Sequence, residues 1–150
     1  MHSATLGHNK RSPKPSERVI HFPEGLPAFE NVKDFVIISN EEEAPFLWLQ
    51  AVAVPNLAFI TIDPFLICPE YLPDICDDDV DALKIETEED VIILSIVNIR
   101  NNAENGVTAN LVGPVVINWR EKLGKQVILR NHLSYSVKYI IDPEAQAVPN

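Results

Sequence analysis

Residues 57–65 read LAFITIDPF. In a strand, successive side chains point to opposite faces, so Phe59 takes one face and the Ile60/Ile62 pair the other. Pro64 then breaks the run, because it has no N–H to give to a sheet ladder. The same grammar recurs on either side. Short runs rich in Val, Ile, Phe and Tyr occur at 18–22, 34–39, 46–51, 91–100, 107–112, 115–119, 126–130 and 134–141. Such residues suit a pleated, half-buried surface. In 46–51, alternation sets Phe46 and Trp48 opposite Leu47 and Leu49. In 91–99 the alternation blurs, which predicts burial on both faces.

Closely spaced strands separated by proline predict a mainly all-β domain, an antiparallel barrel or sandwich, with one or two short helices. Helix is expected at Asp77–Leu83, where Val80 and Leu83 share a face and aspartates oppose the helix dipole. A further turn or two is expected over Ala28–Lys33, and a single turn over Thr87–Asp90 leading into the next strand. Gly25 before Leu26-Pro27 provides for a turn at positive φ, and Gly124 is expected in a tight turn before QVILR. The domain is expected over residues 18–141, after a flexible basic arm at 1–17 and before a frayed tail at 142–150.

The 150 residues carry 12 Lys+Arg against 22 Asp+Glu, a net charge of −10. The imbalance is local. Residues 70–90 hold ten acids against Lys84, net −9, whereas residues 1–18 are net +3. Direct binding of nucleic acid is not expected of such a chain, since phosphate neutralisation needs clustered cations. No apolar run approaches the roughly 20 residues of a membrane span, and the N-terminal stretch has no apolar h-region. Two cysteines make no disulfide framework, so a cytoplasmic location is expected.

No chemistry-bearing pattern stands out. The five glycines form no phosphate-binding loop, and there is no G-x-S-x-G elbow. Cys68 and Cys76 lack two further zinc ligands at suitable spacing. Asp77-Asp78-Asp79 offers hard oxygen ligands, but without the alternation, glycine and distal glutamate of a calcium loop. No enzyme activity, cofactor or metal is therefore expected, and a hydrolase or isomerase using paired carboxylates ranks last.

The informative region joins Asp63–Ile67, Tyr71-Leu72, Asp74 and Asp77–Asp79. Charge runs are usually solvated surface and apolar residues usually core. An exposed aromatic cluster with an acidic rim is instead the anatomy of a protein-binding surface. Phe65, Leu66, Tyr71 and Trp48 are the apolar candidates, and Asp74, Asp77, Asp78 and Asp79 the acidic ones. An apolar candidate more than about 95% buried is excluded from direct contact.

Five motifs then occur in family order: FPEGLPAFE (22–30), PFLWLQ (45–50), LAFITIDPF (57–65) with Tyr71 after it, TANLVGPVVIN (108–118), and GKQVIL (124–129) with Tyr135 after it. Together they resemble the bacterial flagellar assembly factor family, FliW. Ala28 stands where the family usually has Gly, and Ala109 where Val is common. The resemblance implies an antiparallel, barrel-like β domain and a non-enzymatic role. It implies two protein partners: the translational regulator CsrA, whose repression is antagonised, and flagellin, so that flagellin synthesis is coupled to filament assembly. The acidic run is the candidate CsrA-facing surface, because an antagonist of a basic protein gains association rate from negative charge. The apolar candidates are assigned to flagellin. The alternative is an acidic β module or chaperone with another basic or filament-forming partner.

Overall fold

A computed structural model of the chain describes residues 19–100 and 106–141. The expected arm and tail lie outside these residues. Nine strands are present among them: β1 (Ile20–His21), β2 (Asp34–Ser39), β3 (Leu47–Ala51), β4 (Ala58–Ile62), β5 (Val91–Ile99), β6 (Val107–Ala109), β7 (Val115–Asn118), β8 (Leu123–Gln126) and β9 (Tyr139–Ile140). Two short helices, α1 (Pro64–Ile67) and α2 (Asp77–Ala82), lie between β4 and β5. No helix among the described residues is long and apolar enough to cross a membrane.

The pairings run β4-β3-β2-β1-β8-β7-β5, and β5 pairs back to β4, closing a ring. This is mostly β, as expected, but it is not the regular antiparallel barrel. His21 of β1 pairs with Leu123 of β8 in parallel. β5 changes partner along its length, from β7 at 91–94 to β4 at 95–96 and β6 at 97–99. β6 and β9 leave the ring as a side sheet.

Alternation explains the packing. Ile20, Phe35, Leu49, Leu94 and Ile117 form one buried cluster drawn from five ring strands, with Phe59 against it. Ile60 and Ile62 turn the other way, into a second cluster with Val97, Ala109 and Ile141. Val116 joins a third cluster with Tyr71, Leu83, Leu111, Val127 and Leu129, and Val91 and Ile93 pack against it. β5 and β7 are thus covered on both faces, as the blurred pattern in 91–99 predicts. Each large side chain so buried contributes roughly 1.5–3 kcal/mol.

Three local expectations change. Ala28 adopts φ +74°, which leaves the right-handed helical region, and residues 26–32 form two successive turns rather than a helix (Phe29 N to Leu26 O, 2.7 Å; Val32 N to Phe29 O, 3.0 Å). The strand expected at 126–130 is instead β8, at 123–126. Its ladder with β7 ends at the Val115–Gln126 pair, since the next partner, Pro114, has no N–H to return. Gly124 therefore lies within a strand and not in a turn; Phe22 occupies the space where a Cβ would stand. Unforeseen, α1 starts at Asp63-Pro64, where the Asp63 carboxylate accepts from Phe65 N (2.9 Å) and Pro64 fills the first helical position.

Candidate functional site

α2 is short, and its ends are held from outside. At its C-terminus Lys84 adopts φ +56°, Lys84 N donates to Asp81 O (3.0 Å) and Ile85 N to Val80 O (3.0 Å). This is a Schellman motif with lysine in the position glycine usually takes, and such motifs bring the two apolar residues flanking them together. Here those residues are Val80 and Ile85. The carbonyls of Leu83 and Lys84 both accept from Asn118 Nδ2 of β7 (2.8 and 3.0 Å), and Asn118 Oδ1 accepts from Glu121 N.

Between α1, α2 and β5 lies a cleft of about 530 Å³. Val91 and Ile93 of β5 line it with Tyr71, while Val80 and Ile85 line it from the α2 side. Phe65 of α1 and the segment Leu72, Pro73, Ile75 complete the lining, and Glu88 is its one charged member. The segment is pinned. Leu72 N donates to Tyr135 Oη (2.8 Å), Leu72 O accepts from Asn131 Nδ2 (2.8 Å), and Asp74 N donates to Asn131 Oδ1 (3.1 Å). Arg130 N closes the set on Asp74 O (2.8 Å). Leu72 nonetheless stays 74% exposed.

The candidate residues separate by burial. Phe65 (41%) and Leu66 are exposed. Tyr71 is 1% exposed, donates from its hydroxyl to Leu111 O (2.6 Å) and stacks edge-on against Tyr135. It exceeds the burial criterion for direct contact and packs against Phe65, whose ring centre is 5.6 Å from its own. Burial first, then the neighbouring Tyr135 and Cys68, holds the Tyr71 phenol far above the ordinary tyrosine range. Trp48 is half-buried on β3, donates to Glu43 Oε1 (2.8 Å) and does not line the cleft.

The acids separate as well. Asp77 and Asp78 are exposed on α2. Asp79 is 7% exposed; its carboxylate accepts from Lys125 Nζ and from Cys76 Sγ (3.2 Å). That hydrogen bond is the main cause raising the Lys125 ammonium above its usual range. Asp74 pairs with Arg130 (3.0 Å), whose guanidinium is raised chiefly by that bond. Glu86 and Asp90 pair with Arg120. Among the described residues, Glu70, Asp77, Asp78, Asp81, Glu88 and Glu89 make no ion pair within 4.0 Å. The free negative charge of the run is therefore concentrated on α2 and the turn at Glu88–Asp90.

The fold thus brings Phe65 and Tyr71 together at one cleft, keeps Asp77 and Asp78 exposed on α2, which gives Val80 to its lining, and leaves Trp48 elsewhere. Sequence reading missed Ile75, Val80, Ile85 and Ile93 as cleft residues. For Ile75, Val80 and Ile85 the signal was present as apolar residues embedded in the acidic run; Ile93 belongs to the strand that follows it.

The family model described as "FliW protein" matches residues 8–141, beginning inside the stretch expected as an arm. A flagellar assembly factor FliW from Alkaliphilus metalliredigens is 39% identical over 127 residues, covering 84% of this chain and 78% of its own length. One from Clostridium tetani is 34% identical over 143 residues, covering 95% and 93%. A crystal structure of the flagellar assembly factor FliW superimposes with a TM-score of 0.77 at 37% identity, over 88% of this chain and 91% of that one.

Proposed function

The chain belongs to the FliW family of flagellar assembly factors, and from that premise we propose that it exchanges two protein partners, the translational regulator CsrA and flagellin. The family is not enzymatic, and among the described residues no group of three or more His, Cys, Asp or Glu side chains is placed to hold a metal ion. In this reading, flagellin that accumulates occupies the protein and frees CsrA to halt further flagellin synthesis.

One observation carries the reading: α2, whose exposed Asp77, Asp78 and Asp81 make no ion pair among the described residues, also supplies Val80 to the lining of an apolar cleft. A regulator that grips RNA must be basic, and a face bearing Asp77, Asp78 and Asp81 steers it to this surface. Asp74 and Asp79 contribute by holding the surface in place, each through its own cation. Phe65 and Leu66, with Tyr71 beneath, supply apolar contact to flagellin, and Trp48 adds a separate apolar position on β3.

The test is partner exchange with purified proteins. Immobilised chain should capture CsrA and release it as flagellin is added. The double charge reversal Asp77→Lys/Asp78→Lys should slow CsrA association and flatten its salt dependence. An unchanged rate and salt slope would remove the acidic face from the account, and capture of neither partner would remove the reading itself.

A further inference from the structure

We propose that the cleft is a docking groove for a short amphipathic segment of a partner protein, apolar on one face and flanked by Lys or Arg. The volume, about 530 Å³, falls in the usual range of ligand-binding clefts. It suits a few inserted side chains. Its floor is rigid, since Ile93 sits in a strand paired through Val116 to β7. Its wall is rigid too, because the Schellman turn and Asn118 fix Ile85 beside Val80.

The lip is what marks the groove as unfilled. Leu72 is 74% exposed although both polar groups of its backbone are held by Tyr135 and Asn131. With its backbone held in this way, the Leu72 side chain lines the edge of the cleft and is left largely in water. It gains only when a partner covers it, and little ordering cost remains for binding.

Charge selects the occupant. The lining contains no Lys or Arg, and Glu88 opens onto the cleft. Asp77, Asp78, Asp81 and Glu89 stand nearby in sequence and make no ion pair among the described residues. An acidic segment would meet like charge here, whereas lysine or arginine beyond the inserted apolar residues would meet opposite charge. The proposal rests on the reading above only for the statement that this face meets a protein.

The probe is a synthetic helix-forming peptide of about 15 residues, with leucines at i, i+4 and i+7 and lysines at both ends. It is titrated into the full chain labelled at isoleucine and leucine methyls, with a glutamate-ended peptide as the control. The lysine-ended peptide should shift the methyls of Ile75, Ile85 and Ile93. Leu72→Glu, an exposed position that leaves the core intact, should weaken it about tenfold or more. Glu88→Lys should weaken the lysine-ended peptide and strengthen the glutamate-ended one.

Unmoved cleft methyls, or equal binding of both peptides, would overturn the proposal. Two other occupants would overturn it as well. Cleft methyls that move in peptide-free Lys10→Gln/Arg11→Gln/Lys14→Gln protein would assign the groove to the chain's own N-terminal stretch. Cleft methyls that move on dilution would assign it to a second copy. Peptide binding without CsrA–flagellin exchange removes the reading above and keeps the groove; exchange without peptide binding does the reverse.

Discussion

Lys125 on β8 donates its ammonium to the carboxylate of Asp79 on α2, 46 residues earlier in the chain. The third aspartate of the most acidic run is therefore an anchor for the helix and not part of its surface. Its neighbours Asp77 and Asp78 point to solvent.

Asp79→Ala should accordingly destabilise the fold by about 2 kcal/mol, less than the roughly 3–5 kcal/mol that breaking a fully buried pair costs, because Lys125 keeps partial access to water. Asp77→Ala should stay within about 0.5 kcal/mol of wild type. Chemical denaturation of the two variants checks the contrast, and equal losses would contradict the assignment of Asp79 as an anchor.

The turn at residues 25–30 contains two left-handed residues with opposite expectations. Gly25 (φ +64°) has Phe29 O at 2.6 Å and Glu30 O at 2.7 Å from where a Cβ would stand. Gly25→Ala should cost about 2 kcal/mol or more. Ala28 (φ +74°) carries a side chain in the same conformation, so Ala28→Gly should raise stability by about 0.5–1 kcal/mol after the entropy of the unfolded chain is counted. A fall in melting temperature for Ala28→Gly would refute the strain.

Gly124→Ala should destabilise by about 2 kcal/mol, through overpacking and not through turn geometry. The added methyl would lie 2.5 Å from Phe22 Cζ, and Phe22 is wholly buried. The double variant Phe22→Leu/Gly124→Ala should recover part of the loss in the same denaturation experiment, whereas simple additivity would argue against the clash.

Tyr71 links stability to alkaline pH. Its folded-state phenol is raised well above the ordinary value of 10.0. The native state thus keeps a proton that the unfolded chain releases above about pH 10. The contribution of Tyr71 is complete below that pH and declines as pH rises further. Tyr71→Phe loses the hydroxyl bond to Leu111 O and should cost about 1–2 kcal/mol at neutral pH. The gap between wild type and variant should narrow above about pH 10. A gap constant to about pH 11 would contradict the linkage.

Much of this protein is written locally. DFVIIS at 34–39 is a strand with the expected bounds, and Phe59 parts from Ile60 and Ile62 onto opposite faces as alternation requires. α2 forms at Asp77–Ala82, and Gly25 takes positive φ. Five motifs in order sufficed to name the family. These features depend on residues next to one another, through the strand period, the proline breaks and the glycine turn.

What the tertiary structure decided is which side chains have partners. The closure of β4 on β5, the parallel step from β1 to β8 and the burial of Asp79 all join residues distant in sequence. The run at 70–90 reads as uniformly acidic. The fold splits it into paired anchors and free carboxylates, because Lys125, Arg120 and Arg130 arrive from β8 and its flanking segments. Tyr71 and Phe65 look alike as exposed-aromatic candidates, yet one is sealed by Leu111 and Tyr135 and the other is open to water. Local pattern fixes the direction a side chain takes from its own backbone; burial and charge pairing depend on what the rest of the chain places in its path.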